Sequence, residues 1–358
     1  MLRLASRRAV TSKILYPNSN RSSGSTLKVV VFGSSSQVVP FLATHLNSLG
    51  AFVTFPCRTS YKYIDYIKPA FHYRTMHIQQ FVDYNDPDII AKIIKENNVV
   101  INLIGAHAYL KNYDFIYEGN VTMAKRIAEA CAASPDVVRL IHVSAAGADP
   151  AAASTRLSTK WLGEQEVKKA YPSATIIRPC TIFGEFDYFV TKLANFQQWL
   201  GFNFLIDEGA EKRQPINSAD VATCLFNAIR LPETAGQTYE LGGPHVYSQK
   251  EILEIIYNKL NRPPVVKSFP YEKTFRVMRR APHFWALTRW LTLNEVLESR
   301  TDIVVSKGAK TCEDLFVKPI SFPQNLKAIA SDWVAKNDVS LEDNEHGWYN
   351  GNDRKYEP

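Results

Sequence analysis

Leu27-Lys28-Val29-Val30-Val31-Phe32-Gly33-Ser34-Ser35-Ser36-Gln37-Val38-Val39-Pro40 is the stretch on which the fold turns. A short β-branched run breaks at a glycine, passes through three serines and enters an apolar segment of helical spacing. That is the form of a first strand, a phosphate-binding turn and the helix that follows it. Val38 to Leu49 reads as that helix, Gly50 ends it, and Ala51 to Pro56 reads as a second strand. Pro40 falls in the first helical turn, where its missing N–H has no partner to lose.

Outward from this unit the alternation repeats. Strands are expected over Met76 to Val82, Asn98 to Ile104, Val138 to Val143 and Ala174 to Ile177, with helices over Asp88 to Glu96, Asn112 to Ala133 and Thr155 to Ala170 between them. Asp86 caps the first of these helices, with Pro87 opening it. The pattern predicts an α/β protein with a doubly wound parallel sheet, a Rossmann domain over residues 27–180. Beyond Arg178-Pro179 the regularity fades. Helices near Tyr188 to Leu200, Ala219 to Arg230 and Gln249 to Leu260, with a strand Gln237 to Leu241, predict a smaller mixed C-terminal lobe over 181–340, partly interleaved with the first domain. Residues 341–358 form a polar tail.

The chain has 358 residues, 46% of them hydrophobic, and a formal charge of +7. The charge sits at the front: eight basic residues from Arg3 to Lys62 precede the first acid, Asp65, and the remainder is close to neutral. Phosphate tracking needs basic side chains concentrated on the folded surface, so nucleic acid is excluded as a partner. Residues 1–26 are Arg- and Ser-rich and acid-free, the composition of a mitochondrial targeting leader. Cys57, Cys131, Cys180, Cys224 and Cys312 are odd in number and widely spaced, which spells neither a zinc site nor a CxxC motif, and no metal is expected. The longest nearly apolar run, Val99 to Leu110, is too short for a bilayer, which needs about 20 residues.

A dinucleotide turn ordinarily has glycine where the chain bends, where backbone meets pyrophosphate and where helix packs on strand. Only Gly33 survives, with Ser36 and Val39 in the other two places. Phosphate can still be held by backbone N–H groups of Ser34, Ser35, Ser36, Gln37 and Val38 at the helix start; the alternative is an emptied turn. At the end of the second strand stands Arg58, followed by Thr59, where an acid would select NAD and an arginine accommodates the 2′-phosphate of NADP. Asp83 is expected beside the adenine, and Leu103, Ile104 and Gly105 where the backbone approaches the cofactor.

These residues, with Asn102-Leu103-Ile104-Gly105, Ile141-His142-Val143-Ser144, Arg178-Pro179, Ile182-Phe183-Gly184, Asp220-Val221-Ala222 and Tyr239-Glu240-Leu241-Gly242-Gly243-Pro244, stand in an order that resembles the extended, atypical short-chain dehydrogenase/reductase family from about Leu27 to Pro264. In that family a serine after the fifth strand works with Tyr-x-x-x-Lys, the lysine ammonium lowering the tyrosine pKa so that the phenol transfers a proton. Ser144 and Lys160 match, but Arg156 stands four residues before Lys160 and stays charged. No residue is therefore assigned as catalytic. Lys160, Ser144 and Pro179 are carried over as cofactor contacts, Lys160 to the ribose hydroxyls.

Within the family the chain is most similar to the dehydrogenase-like accessory subunits of mitochondrial respiratory complex I. The similarity rests on Val99 to Gly105, the Lys160 helix continuing Trp161-Leu162-Gly163-Glu164-Gln165-Glu166-Val167, and Ile177 to Asp187. It implies a non-catalytic subunit with structural NADPH, partnered by other complex I subunits on the matrix side of the inner membrane, at the junction of the two arms near the quinone site. Phe275-Arg276-Val277-Met278-Arg279-Arg280 and Phe284 to Leu291 would meet inner-membrane lipid headgroups or pack on the small lobe. A free mitochondrial reductase or epimerase without the tyrosine, and an NADPH-sensing regulator, remain as alternatives. His142 reads as a core histidine, and His107 has no visible partner acid.

Overall fold

A computed structural model describes residues 27–58, 75–106, 113–185, 189–280 and 291–326. The expected leader, the polar tail, Thr59, His107, Asp187 and the segment from Phe284 to Trp290 lie outside those residues.

The first half of the chain runs β1 (Lys28–Phe32), α1 (Val39–Ser48), β2 (Phe52–Pro56), β3 (Met76–Gln79), α2 (Pro87–Lys95), β4 (Val99–Asn102), α3 (Tyr113–Tyr117), a π-helical turn (Glu118–Thr122), α4 (Met123–Ala133), β5 (Arg139–Val143), α5 (Thr155–Ala170) and β6 (Thr175–Pro179). The second half adds β7 (Ile182–Phe183), α6 (Phe189–Leu200), β8 (Asn203–Ile206), β9 (Lys212–Arg213), β10 (Ile216–Asn217), α7 (Ser218–Arg230), β11 (Thr238–Leu241), β12 (Tyr247–Ser248), α8 (Gln249–Lys259), β13 (Val266–Phe269), α9 (Tyr271–Arg280) and α10 (Leu293–Glu298).

Seven strands form one sheet in the order β11-β6-β5-β4-β1-β2-β3, and each neighbouring pair is parallel. With both faces of the sheet covered and side chains alternating between them, β1 is apolar from Val29 to Phe32, Lys28 at its start being exposed. Val29 and Val31 pack on one face with Leu42 and Leu46 of α1 and Val221 and Leu225 of α7. Val30 and Phe32 pack on the other with Ile90 and Ile94 of α2 and Ile127 of α4. Chain beyond residue 180 thus returns to the main sheet, supplying its outermost strand β11 and the covering helix α7.

The smaller lobe gathers Phe183, Val190, Leu205, Ile252, Ile256, Tyr257 and Phe322 into its own core. Around it lie the parallel pairs β7–β10 and β8–β13 and the antiparallel pair β9–β12. Asp86 caps α2, accepting from the N–H groups of Asp88 at 2.9 Å and Ile89 at 3.4 Å, and Pro87 opens the helix.

Two elements differ from expectation. The third strand ends at Gln79 and not at Val82, because Phe81 takes a φ of +54°, which breaks the ladder. The helix expected from Asn112 to Ala133 is interrupted by the π turn at Glu118–Thr122, which sits beside the site described below.

Candidate functional site

The carboxyl ends of β1 and β4 meet at Gly33. Its φ is +85°, and a Cβ there would lie 2.8 Å from the carbonyl carbon of Leu103 and 2.9 Å from the amide nitrogen of Ile104. Only glycine lets the turn close against β4 at this point. The turn hydrogen-bonds itself through Ser36 N–H to the Gly33 carbonyl at 3.1 Å and Val39 N–H to the Ser36 carbonyl at 2.9 Å. The Ser36 hydroxyl accepts from Val38 N–H at 3.4 Å. Gln37 keeps a buried Oε1 with no hydrogen-bond partner among the described residues. Val38 is in the αR region and carries no side-chain cap; with Val39 N–H taken by the Ser36 carbonyl and Pro40 lacking an N–H, the start of α1 offers a ligand few first-turn donors. The serine hydroxyls are not equivalent: Ser35 is exposed, while Ser34 is buried against Cys57, Oγ to Sγ 3.3 Å.

Arg58 follows β2 directly and is exposed, close enough to the Tyr84 hydroxyl to act on it electrostatically. Asp83 is exposed too, but three residues separate it from the end of β3, and its carboxylate accepts from Asn85 N–H at 2.8 Å.

Lys160 lies across the end of β4. Its buried ammonium donates to the carbonyls of Ile104 and Val143, both at 3.2 Å. A Cβ on Gly105 would come within 2.7 Å of Nζ, so glycine is what admits the lysine. Burial, then the charge of Arg156, bring the amine down to about 8 against the opposing Glu164. Ser144, on the loop after β5, has a buried hydroxyl without a hydrogen-bond partner among the described residues. Its loop is held to β6 by Ser144 N–H on the Ile177 carbonyl at 2.7 Å and Ala146 N–H on the Pro179 carbonyl at 2.9 Å. His142 is buried and accepts from the Asn102 amide through Nδ1 at 3.1 Å; burial and Lys160 press it down to about 3, so it stays neutral.

The arginine at the tyrosine position does not face an open cleft. Arg156 makes a two-pronged ion pair with Glu298 of α10, Nε to Oε1 2.9 Å and Nη2 to Oε2 2.8 Å. Ser154, the N-cap of α5, gives its hydroxyl to the same carboxylate at 2.6 Å, and Arg213 donates to the Glu298 carbonyl at 3.1 Å. Asn294 accepts from Thr155 N–H at 3.0 Å.

Further residues shape the site without having been assigned a role in it from the sequence. Asn120, on the π turn, accepts from Ala106 N–H at 2.9 Å and donates to the Thr159 hydroxyl at 2.9 Å. Its carbonyl lies 2.1 Å from where a Gly163 Cβ would stand, so α5 packs directly on the turn. Arg178 spans Glu164 with two bonds of 2.9 and 2.8 Å and reaches Glu240 at 3.1 Å, tying α5, β6 and β11 together. Of the expected contacts, the structure brings together Gly33, Leu103, Ile104, Gly105, Ser144, Lys160 and Pro179. Among the described residues, no group of three or more His, Cys, Asp or Glu side chains could hold a metal ion.

Comparison with known proteins agrees with this architecture. Residues 29–242 match the NAD dependent epimerase/dehydratase family. Among curated proteins, NADH dehydrogenase (ubiquinone) 1 alpha subcomplex subunit 9, mitochondrial, of Rattus norvegicus is 31% identical over 317 residues, covering 86% of this chain and 80% of that protein. The protein of the same name from Arabidopsis thaliana is 31% identical over 307 residues, covering 84% and 76%. The NADH-ubiquinone oxidoreductase 40 kDa subunit of Neurospora crassa is 31% identical over 311 residues, covering 86% and 79%. Of solved structures, UDP-glucuronic acid 4-epimerase from Bacillus cereus, in complex with UDP-glucuronic acid and NAD, superposes with a TM-score of 0.67 over 87% of this chain and 99% of that one; at 15% identity it speaks for the fold alone. The chain belongs to the NAD dependent epimerase/dehydratase family, on the branch that holds the alpha subcomplex subunit 9 proteins of mitochondrial NADH dehydrogenase.

Proposed function

We propose that the chain is a non-catalytic accessory subunit of mitochondrial NADH:ubiquinone oxidoreductase that holds NADPH as a structural group. One observation carries the reading. Where the family's proton-transferring tyrosine would stand, Arg156 is locked onto Glu298, while Gly33 closes its turn against β4 and Lys160 lies across the end of that strand. An arginine engaged in a bidentate pair neither gives nor takes a proton near neutral pH, and the proton transfer it replaces is worth roughly 10²–10⁴-fold in rate.

The site suits a dinucleotide. Gly33 supplies the close backbone approach, and Ser144 a buried hydroxyl that lacks a partner among the described residues. Lys160 would meet the ribose hydroxyls, Asp83 would lie on the adenine side, and Arg58, exposed at the end of β2, would take the 2′-phosphate that distinguishes NADP from NAD. A bound nicotinamide would supply hydride chemistry; among the described residues no side chain takes the place of the missing tyrosine as its acid.

The relatives' names support the assembly partners, other subunits of that respiratory complex. They also support a mitochondrial location; the peripheral place on the matrix side of the inner membrane, at the junction of the two arms, is part of the proposal. Among the described residues no helix is long and apolar enough to cross a membrane. Arg276, Arg279 and Arg280 on the outer face of α9 would meet anionic headgroups there. A free reductase or epimerase without the tyrosine has one observation in its favour, the Lys160 amine at about 8. Against it stands the ion pair of Arg156 with Glu298 at the position the tyrosine would fill.

The test is the nucleotide itself. Extracted from the purified full chain in its native assembly, it is expected to be NADPH. Arg58→Ala should lower retained NADPH by about tenfold or more, the worth of a charge-assisted phosphate contact, with NADH affinity little changed. Equal NADPH content in wild type and variant would contradict the role given to Arg58.

A further inference from the structure

Arg156 and Lys160 are one helical turn apart on α5, so their side chains share a face. Two buried cations at this spacing repel, and the Arg156 charge already weighs against the protonated amine of Lys160. A carboxylate from a helix 142 positions away draws the guanidinium to itself and neutralises it. We propose that Glu298 is a positioning residue of the nucleotide site: by holding Arg156 away from Lys160 it keeps that lysine fit to bind nucleotide, and so makes nucleotide retention depend on the seating of α10.

The inference rests on the reading that Lys160 contacts the nucleotide. The groups that face this lysine are Arg156 and Glu164 from α5, neutral His142 from β5, the Ile104 and Val143 carbonyls, and Asn120 across Gly105. Glu164 is already engaged by Arg178. Glu298 is the carboxylate that the guanidinium of Arg156 meets, at 2.9 and 2.8 Å. With the Glu298 side chain made neutral, the unpaired guanidinium has two outcomes: it lowers the proton affinity of Lys160 further, or it turns into the space beside Gly105. Both weaken nucleotide binding, and the first moves its pH dependence.

The seat of α10 is itself shared. Val296 of α10 packs with Met278 of α9 and Ile206, beside Phe275 and Leu291, and Lys192 of α6 pairs with Glu295. Any partner that fixes the outer, arginine-bearing face of α9 therefore also steadies Glu298. By reciprocity, bound nucleotide favours the docked arrangement by the same factor.

The experiment measures NADPH release by its fluorescence from pH 6 to 9, from the full chain in its native assembly. Wild type is compared with Glu298→Gln, Glu298→Asp, Arg156→Gln and the double variant Arg156→Gln with Glu298→Gln. Expected for Glu298→Gln is release about tenfold faster, with the midpoint of its pH dependence about one unit lower. Glu298→Asp should stay near wild type, and the double variant should recover retention although it recovers no thermal stability. Should Glu298→Gln fail to accumulate, Arg156→Gln decides, since an unpaired Glu298 would raise the midpoint. Equal loss in Glu298→Gln and the double variant, a wild-type profile for Glu298→Gln, or an unmoved midpoint in Arg156→Gln would each overturn the inference while leaving the nucleotide reading in place. Wild-type chain that carries no NADPH would overturn both.

Discussion

Gly33 sits at a φ of +85° with Leu103 and Ile104 backbone atoms under 3.0 Å from where a side chain would begin. Backbone cannot move aside as a flexible side chain can, so Gly33→Ala should cost about 1–3 kcal/mol of stability. Thermal unfolding of the full-length variant measures this, and an unchanged midpoint would mean that the turn relaxes freely. The glycine was legible because a strand, a turn residue and a helix follow one another within a dozen positions. Lys160 and Ser144 were legible for the same reason, each sitting at a fixed step from a readable element. Glu298 was not: its partner Arg156 is 142 residues away, and a glutamate in a short polar helix looks like any solvated acid until the lobes are folded together. Asp83 was placed three residues too close to its strand, because the positive φ of Phe81 leaves no mark in the sequence.

At the scale of elements, sheet strands were the clearest, since the Val- and Ile-rich centres of β1, β4 and β6 are buried on both faces. The π turn in the helix after β4 was invisible, because its cause is tertiary: Gly163 brings α5 down on the Asn120 carbonyl. The contact of α5 with α10 gives a prediction about pH. Arg156 and Arg213, with the Ser154 hydroxyl, hold the Glu298 carboxyl below its usual range despite burial that would raise it. Its folded pKa is depressed, so the stabilisation is present above the unfolded value of about 4.3 and is lost as pH falls through the lower folded value. Breaking a buried pair by removing one partner costs about 3–5 kcal/mol. Wild type should therefore unfold at a clearly higher temperature than Glu298→Gln at pH 7, and the two should converge toward pH 3. A gap that stays constant across this range would show that the pair contributes through packing alone.

For the whole molecule, charge distribution carried information that no single element held. The excess of basic residues lies ahead of Asp65, and the body that folds into the sheet and lobe is nearly neutral, which turned the reading from nucleic acid to an organelle address. The return of β11 and α7 to the main sheet was only partly legible, because a fading pattern after Pro179 does not say which later strand completes the edge. How the lobes close on Arg156 was not legible at all, because the guanidinium and its partner carboxylate lie 142 residues apart. The central claim, a nucleotide-holding subunit without catalysis inside a respiratory assembly, is tested most directly on a native gel of gently solubilised mitochondria, probed for this chain and stained in parallel for NADH oxidation. Co-migration with the very large NADH-oxidising band is the predicted result; migration at the size of a monomer or dimer, apart from that band, would contradict it.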